Sequence, residues 1–254
     1  MADISADAKR ALTNSPMAQP LLPPMAEAIT SITDAEVQNG FTVTADGAIH
    51  VNVVTEMPGV TPAMIDWWFG WHSDSPERYK LWHPRAHVHA QWAAPRAHLQ
   101  AQWAAPPTSG TTGRERYVGF TSEVDEYLGS AMFRGAIQFR RPEELGLVDA
   151  AVAAGTDATA VCARIGLVDL PVDMGYLAHH VAMVPGGSVM RSRFWIGGPN
   201  LSARGSAMRA VAPLARRLSR LTEADARALL VHCSQEMTHL VSFLPELHAQ
   251  ESDR

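Results

Sequence analysis

The segment from Trp67 to Trp103 constrains the fold more than any other part of the chain. It holds six of the seven tryptophans and five of the eleven histidines. Large aromatic side chains wall cavities and exclude water, and imidazoles supply metal ligands or proton carriers near neutral pH. We therefore expect a fold that encloses a dry pocket with polar chemistry at its floor. The alternative is an aromatic surface patch at an interaction site, with solvated histidines around it.

The composition is typical of a soluble protein that builds its own core. With 254 residues, 46% of them hydrophobic, the chain can form one substantial core or two small ones. A net charge of -5 without blocks of like charge argues against nucleic acid or an anionic membrane as partner. No apolar run approaches the roughly 18 residues needed to cross a bilayer. Two distant cysteines in apolar settings, and an N-terminus unlike a signal peptide, favour a cytoplasmic protein.

The chain divides into an N-terminal arm and a larger domain. Residues 1–40 are rich in Ala, Pro and small polar residues, with a helix-like stretch at 25–32, and indicate an arm or small subdomain. From residue 41 to 254, alternating apolar and polar runs predict strands. Asp46-Gly47 and Pro185-Gly186-Gly187 mark two hairpins within them, as in an antiparallel sheet.

Two helices are predicted in the larger domain. The segment TPAMIDWWFGWHS has apolar residues at helical spacing, which places Trp67 and Trp68 on a short helix. The segment from residue 221 to 247 begins with Thr222 as N-cap, carries a long apolar stripe and is limited by Pro245. One long amphipathic helix is expected to close the fold.

Histidines and acids at suitable spacings suggest a metal site. His232 and Glu236 are four residues apart on one helix face, with His239 three residues further, and apolar neighbours leave this face little water. A charged pair buried there needs a partner or a metal. His179 and His180 are adjacent on a predicted strand, so only one of them can enter the pocket.

Two further choices stay open at this stage. Glu123 and Glu126 lie on one predicted strand segment, and either could be a metal ligand. An eleven-residue tandem duplication, PRAHVHAQWAA followed by PRAHLQAQWAA, makes His87 and His98 equivalent candidates. Two copies do not make a solenoid, because solenoids need several stacked repeats to bury a core.

Five motifs occur in order between residues 58 and 244, namely WWFGWH, RYKLWHP with the following His, VDEYLG, RSRFWIG and HCSQE. In these motifs the chain resembles the diacetylphloroglucinol hydrolase family, which also contains phloretin hydrolases. The resemblance implies an α+β helix-grip fold like that of Bet v 1 and START proteins, with a curved antiparallel sheet around a long C-terminal helix. It also implies a homodimer to which the N-terminal region contributes.

The resemblance further implies a zinc-dependent hydrolase that cleaves the carbon–carbon bond between an acyl group and a phenolic ring. The substrate would be a phenolic ketone, and a carboxylic acid would be released. The implied zinc ligands are His87, Glu126, His179 and Glu236. Two neutral imidazoles and two carboxylates would balance the charge of Zn²⁺. Tyr79 and His232 would line the substrate site as catalytic groups.

Aromatic side chains are expected to bind the ring of the substrate. Trp67, Trp68 and Trp82 would stack on or enclose the ring, with Phe194 at a position where relatives carry a phenol. Ala90 likewise stands where relatives use a polar residue. Because both positions lose a polar contact, we expect a less hydroxylated or differently substituted substrate.

Two rival functions share parts of this prediction. A non-catalytic carrier of hydrophobic aromatic ligands would use the same fold and cavity without a metal centre. A metal-dependent lyase or isomerase would share the metal site and differ in its product. Convergence of the predicted ligands on one point would distinguish the first from the hydrolase.

Overall fold

A computed structural model describes residues 3–17, 38–94, 113–146, 157–204 and 221–252 of the chain. The helix-like stretch at 25–32 lies outside these residues. The second copy of the duplication, with His98, also lies outside them.

The described strands form one antiparallel sheet in the order β1-β2-β8-β7-β6-β5-β4-β3, with β9 paired to β7. Their bounds are β1 Gly40–Val43, β2 Ala48–Pro58, β3 His87–Trp92, β4 Thr121–Leu128, β5 Ala131–Arg140, β6 Ala158–Leu167, β7 Val172–Val184, β8 Gly187–Gly197 and β9 Ser202–Ala203. Both predicted hairpins are confirmed. Gly47 and Gly186, with φ of 83° and 86°, occupy the left-handed backbone region that the two turns require.

The described helices are α1 Ala6–Asn14, α2 Pro62–His72, α3 Pro76–Trp82, α4 Glu223–Val241 and α5 Leu244–Glu251. The N-caps of α2 and α3, Thr61 and Ser75, each accept a backbone N–H, and each is followed by a proline that suits the first helical turn. Thr222 forms the predicted cap of α4.

The long C-terminal helix is interrupted earlier than the sequence predicted. Helix α4 ends at Val241, and Pro245 lies in the first turn of α5 instead of at the end of one helix. The proline ring in a continuous helix would clash with the carbonyl four residues earlier, which is that of Val241. No helix in the described ranges is long and apolar enough to span a membrane.

Helix α4 is the centre around which the sheet is built. It contacts β1 and β2 near one edge of the sheet and β4 near the other, so the sheet curves around it. Leu230, Cys233, Met237 and Leu240 on its apolar face are fully buried. The α+β helix-grip architecture, a curved antiparallel sheet around a C-terminal helix, is therefore confirmed.

A partly buried carboxylate, that of Asp66, attaches α2 to the sheet. Asp66 accepts hydrogen bonds from the Tyr117 hydroxyl at 2.5 Å and from the Thr159 hydroxyl of β6 at 2.9 Å. Arg114 Nε lies 3.3 Å from the same carboxylate and also donates to the Thr159 hydroxyl. These bonds connect α2 to strand β6 and to the segment that carries Arg114 and Tyr117.

We expect Asp66→Ala to destabilise the protein by about 2–4 kcal/mol, because it leaves buried donors of Tyr117 and Thr159 without an acceptor. The melting temperature should fall by about 5–12 °C. Asp74→Ala removes an exposed ion pair with Arg78 and should change stability by less than about 0.5 kcal/mol. Thermal denaturation of both variants tests this, and equal losses would contradict it.

Candidate functional site

A cavity of about 280 Å³ lies between the sheet, helices α2 and α3, and helix α4. Its wall is largely apolar. The polar and titratable side chains on it are His72, Ser73, Tyr79, Ser122, Glu126, His179, Asp225, His232 and Glu236. A small, mostly apolar cavity with a few convergent polar groups is typical of a binding site for a small molecule.

His87 enters this region from the start of β3, where it pairs with Glu126 of β4. Its ring stacks on Tyr79, with centroids 3.8 Å apart and planes 6° apart. Its Nδ1 lies 3.0 Å from the backbone carbonyl oxygen of Tyr79. Since a carbonyl only accepts, Nδ1 carries the hydrogen, and Nε2 presents a lone pair to the neighbouring side chains.

Two imidazoles and two carboxylates converge at the end of the cavity. His87 Nε2 lies 3.3 Å from His232 Nε2. It lies 3.5 Å from one carboxylate oxygen of Glu126 and 3.5 Å from one of Glu236. His232 Nε2 lies 3.6 Å from the same two oxygens. His87, His232 and Glu236 are buried, with ligand atoms all within 4.8 Å of one another, so this group could hold a metal ion.

The five distances that involve an imidazole nitrogen match those of a tetrahedral metal site. Corners that lie about 2.0–2.2 Å from a centre, as zinc ligands do, are about 3.3–3.6 Å apart in a regular tetrahedron. All five distances given above fall in that range. Neutral imidazole nitrogen and carboxylate oxygen are also ligand types suited to zinc. His87, His232 and Glu236 therefore fit a metal ion, and Glu126 lies equally close to the two imidazoles but outside this group of three.

Without a metal, a proton on His232 compensates the nearby carboxylates. Burial by itself would lower the pKa of His232, but hydrogen bonding to Glu126 and the charges of Glu236 and Glu126 raise it to about 9. Burial would raise the pKa of Glu126, whereas the His232 hydrogen bond and charge lower it to about 2. The metal-free site thus favours a protonated imidazole beside ionised carboxylates.

Two neighbouring side chains orient the cluster. The Tyr79 hydroxyl donates a hydrogen bond to the Glu126 carboxylate, and burial raises the pKa of Tyr79 well above 10. The ring of His83 stacks on His232, with centroids 5.0 Å apart and planes 4° apart. His83 accepts from the Ala86 N–H through Nδ1 and donates to Gln235 through Nε2. Such supporting bonds hold ligands at defined angles.

The structure places His179, and not His180, on the cavity wall. His179 Nδ1 lies 2.8 Å from the Ser192 hydroxyl oxygen, and its ring packs against Phe69 and Phe194. Burial lowers the pKa of His179 to about 4, so the imidazole is neutral near pH 7. The resemblance implied His179 as a metal ligand. The buried group that could hold a metal instead contains His232, together with His87 and Glu236.

The alternation of β4 settles which acid faces the cavity. Ser122, Val124 and Glu126 line it, one residue in two. Glu123 instead hydrogen-bonds with Gln91 on β3 at 3.2 Å. Glu126 is therefore the acid of this strand that reaches the cluster.

The four predicted ring-binding aromatics divide into two pairs. Trp82 and Phe194 line the cavity. Trp67 is half-buried and packs against Trp71 and His248, and the fully buried Trp68 packs against Trp71, Trp82 and Phe243. Neither Trp67 nor Trp68 lines the cavity, because the side of α2 that faces the cavity carries Phe69 and His72. Ala90 is fully buried.

Sequence reasoning assigned no binding role to four polar wall residues, His72, Ser73, Ser122 and Asp225. His72 ends the motif WWFGWH, which was a signal of its importance. The serines carry no such signal, because an isolated serine is as common on a surface as in a cavity.

Fold and site together define an α+β protein with an aromatic-walled cavity and a buried group able to hold a metal. A family model described as the DAPG hydrolase PhiG domain matches residues 24–249. The chain belongs to this family.

Two named relatives are each 31% identical to the chain. A 2,4-diacetylphloroglucinol hydrolase of Pseudomonas sp matches over 253 residues, which cover 96% of this chain and 83% of that protein. A phloretin hydrolase of Eubacterium ramulus matches over 215 residues, covering 84% and 72% respectively. The crystal structure of Ara h 8.0201 aligns with a TM-score of 0.40 at 8% identity, covering 78% of this chain and 98% of that one.

In the metal-free protein, the joint contribution of His232 and Glu126 to stability should be greatest between about pH 4.5 and 6.5. A raised pKa of His232 contributes stability below its ordinary value of 6.5, and this is lost as pH rises towards 9. A lowered pKa of Glu126 contributes stability above its ordinary value of 4.5, and this is lost as pH falls towards 2. Thermal melts of chelated protein should show both losses. The alkaline loss should be smaller in His232→Asn, and an unchanged alkaline profile would contradict the assignment.

Proposed function

We propose that this protein is a zinc-dependent hydrolase that cleaves the carbon–carbon bond between an acyl group and a phenolic ring. The observation that carries the proposal is the set of five distances of 3.3–3.6 Å among two imidazoles and two carboxylates. A carrier of aromatic ligands has no need of this geometry. The names of the two relatives point to acylated phenols as the substrate class.

The proposed zinc ligands are His87, Glu126, His232 and Glu236. This set differs from that implied by the resemblance in one member, because His232 takes the place of His179. The reason is distance, since His232 Nε2 lies 3.3–3.6 Å from the other three ligand atoms. When bound there, zinc would supply a Lewis acid for a ketone oxygen and lower the pKa of water.

His179 is then free to act on the substrate. It is neutral, buried and held at Nδ1 by Ser192, so it can exchange a proton with a phenolic oxygen of the ring. Tyr79, which stays protonated, donates to Glu126 and presents its hydroxyl oxygen to the same region. Trp82 and Phe194 would enclose the ring and exclude bulk water.

The electron-rich phenol makes the bond cleavable. Proton transfer to the ring carbon that bears the acyl group converts the ring to a keto form, and water then adds to the acyl carbonyl. When the carbon–carbon bond breaks, its electron pair returns to the ring and restores the aromatic phenol. One water is consumed, and one carboxylic acid and one deacylated phenol are formed. His179 and Tyr79 are positioned to hold and move the protons.

Three other expectations stay predictions. They are the homodimer, the cytoplasmic location and the division into residues 1–40 and 41–254. Helix α1 packs against β1 and α4, and Arg227 of α4 donates to the Leu12 carbonyl oxygen at 2.9 Å. At least this part of the N-terminal region therefore contacts the main body.

Substitution of the two histidines should separate metal binding from proton transfer. His232→Ala should lower bound zinc from about one per chain to less than about a tenth, because it removes a ligand. His179→Ala should keep its zinc and lose acid release by about 100-fold or more, as expected for a proton-transfer group. Elemental analysis and a turnover assay measure both effects. Loss of zinc from His179→Ala alone would restore the ligand set implied by the resemblance.

The activity itself is tested by mass spectrometry of reactions with acylphloroglucinols and dihydrochalcones. We expect release of the acid and the free phenol, abolished by a chelator and restored by zinc. Stoichiometric zinc without cleavage of any of these ketones would contradict the hydrolase. Metal-free protein that binds the same aromatics unchanged would favour a carrier.

A further inference from the structure

The part of the cavity wall formed by the end of α2 and the start of β4 carries three polar side chains. They are His72, Ser73 and Ser122, with exposed fractions of 3%, 1% and 2%. We call these three residues the acceptor wall, because each donates its hydrogen to a backbone oxygen and can then only accept. The proposed reaction does not use any of them.

His72, on the cavity wall, keeps one hydrogen-bond acceptor on its ring. Its Nδ1 lies 2.7 Å from the Trp68 backbone oxygen, which can only accept, so Nδ1 carries the hydrogen. Burial lowers the pKa of His72 to about 3, which keeps the ring neutral. Nε2 therefore has a lone pair and no hydrogen. In the described part of the chain, Nδ1 makes the only hydrogen bond of this side chain.

The two serines have likewise committed their hydrogens. Ser73 Oγ donates to the Phe69 backbone oxygen at 2.6 Å, and Ser122 Oγ donates to the Ser73 backbone oxygen at 2.7 Å. A hydroxyl has one hydrogen and two lone pairs, so both oxygens remain able to accept. The second bond also joins α2 to β4 and holds the serines side by side.

We propose that the acceptor wall determines specificity by binding a phenolic hydroxyl of the substrate ring as a hydrogen-bond donor. The proposal rests on the proposed hydrolase function and names the part of the substrate that the cavity recognises. A phenol O–H has the donor that these buried acceptors lack, whereas an ether or a fluorine at the same position has none.

The position of the acceptor wall fits this role. The ring of His72 lies nearly parallel to that of Tyr79, with centroids 5.9 Å and planes 12° apart. The Tyr79 hydroxyl in turn donates to Glu126 of the proposed metal site. A ring hydroxyl bound at the acceptor wall would thus hold the ring close to the reacting end of the cavity.

The acceptor wall would distinguish phenols from rings without donors through the free-energy cost of desolvating its acceptors. A ring without donors would displace water from the acceptor wall and leave its lone pairs unpaired, which weakens binding by roughly 10-fold or more. The carboxylate of the acid product offers only acceptors and gains nothing there. The acceptor wall would therefore favour the phenol over the acid.

The test is a binding comparison of phloroglucinol with 1,3,5-trifluorobenzene, a ring of similar size without donors, on the zinc-loaded protein by calorimetry. The wild type should bind phloroglucinol about 10-fold tighter or more. His72→Phe keeps a flat ring but removes the acceptor, so it should weaken phloroglucinol about 10-fold and change trifluorobenzene less than about 2-fold. His239→Phe is the matched control, because His239 also bonds a backbone carbonyl, that of Trp82, but lies outside the cavity wall.

Equal effects of His72→Phe on the two ligands, or none on phloroglucinol, would overturn the proposal. If circular dichroism shows that this variant does not fold, the double variant Ser73→Ala, Ser122→Ala is measured in the same way with the same criteria. Binding does not require turnover, so the two proposals fail separately. A protein that prefers phloroglucinol but cleaves no acylphenol refutes the hydrolase alone, and one that cleaves acylphenols without the preference refutes the acceptor wall alone.

Discussion

The burial of two carboxylates in one apolar cavity is the constraint on which the rest of this structure depends. Glu126 and Glu236 approach the same two imidazoles, and their side chains are only 14% and 9% exposed. Buried negative charges of this kind require a cation or a proton nearby. The raised pKa of His232 favours a proton there, and the proposed zinc would take over this compensation. The expected pH dependence of stability and the proposed activity both depend on this compensation.

The fold meets the constraint by bringing separate elements to one point. Helix α4 contributes His232 and Glu236, β4 contributes Glu126, and β3 contributes His87. The sheet brings Glu126 and His87 to the side chains of α4 because it curves around that helix and touches it near both edges. The aromatic side chains of α2 and α3 close the remaining side. A flat sheet would leave the carboxylates exposed to water and their charges screened.

The cavity combines two kinds of polar surface, which would let one small space both bind and transform the proposed substrate. At one end, imidazole and carboxylate groups are suited to a metal and to proton transfer. Beside it, His72, Ser73 and Ser122 have used their hydrogens on backbone carbonyls and can only accept. Phe194 and the other apolar side chains cover the rest. This division favours a ligand with donors on one flank and a carbonyl on the other.

Local patterns in the sequence were sufficient for much of this description. The spacing of four residues placed His232 and Glu236 on one helix face, and the turn residues predicted both hairpins. The ordered motifs indicated the family and, through it, the helix-grip fold. These features depend on neighbours in the chain, whose geometry is set by helical and strand periodicity.

Contacts between distant elements were decided only by the tertiary structure. His87 and His232 are 145 residues apart in the chain, and only the packing of α4 against the sheet brings their nitrogens to 3.3 Å. The packing of α2 turned Trp67 and Trp68 away from the cavity, and the register of β7 with β8 placed His179 against Ser192. The sequence by itself determined which residues share an element and a face. Which faces meet was determined in three dimensions, because packing distances depend on the whole core and not on spacing along the chain.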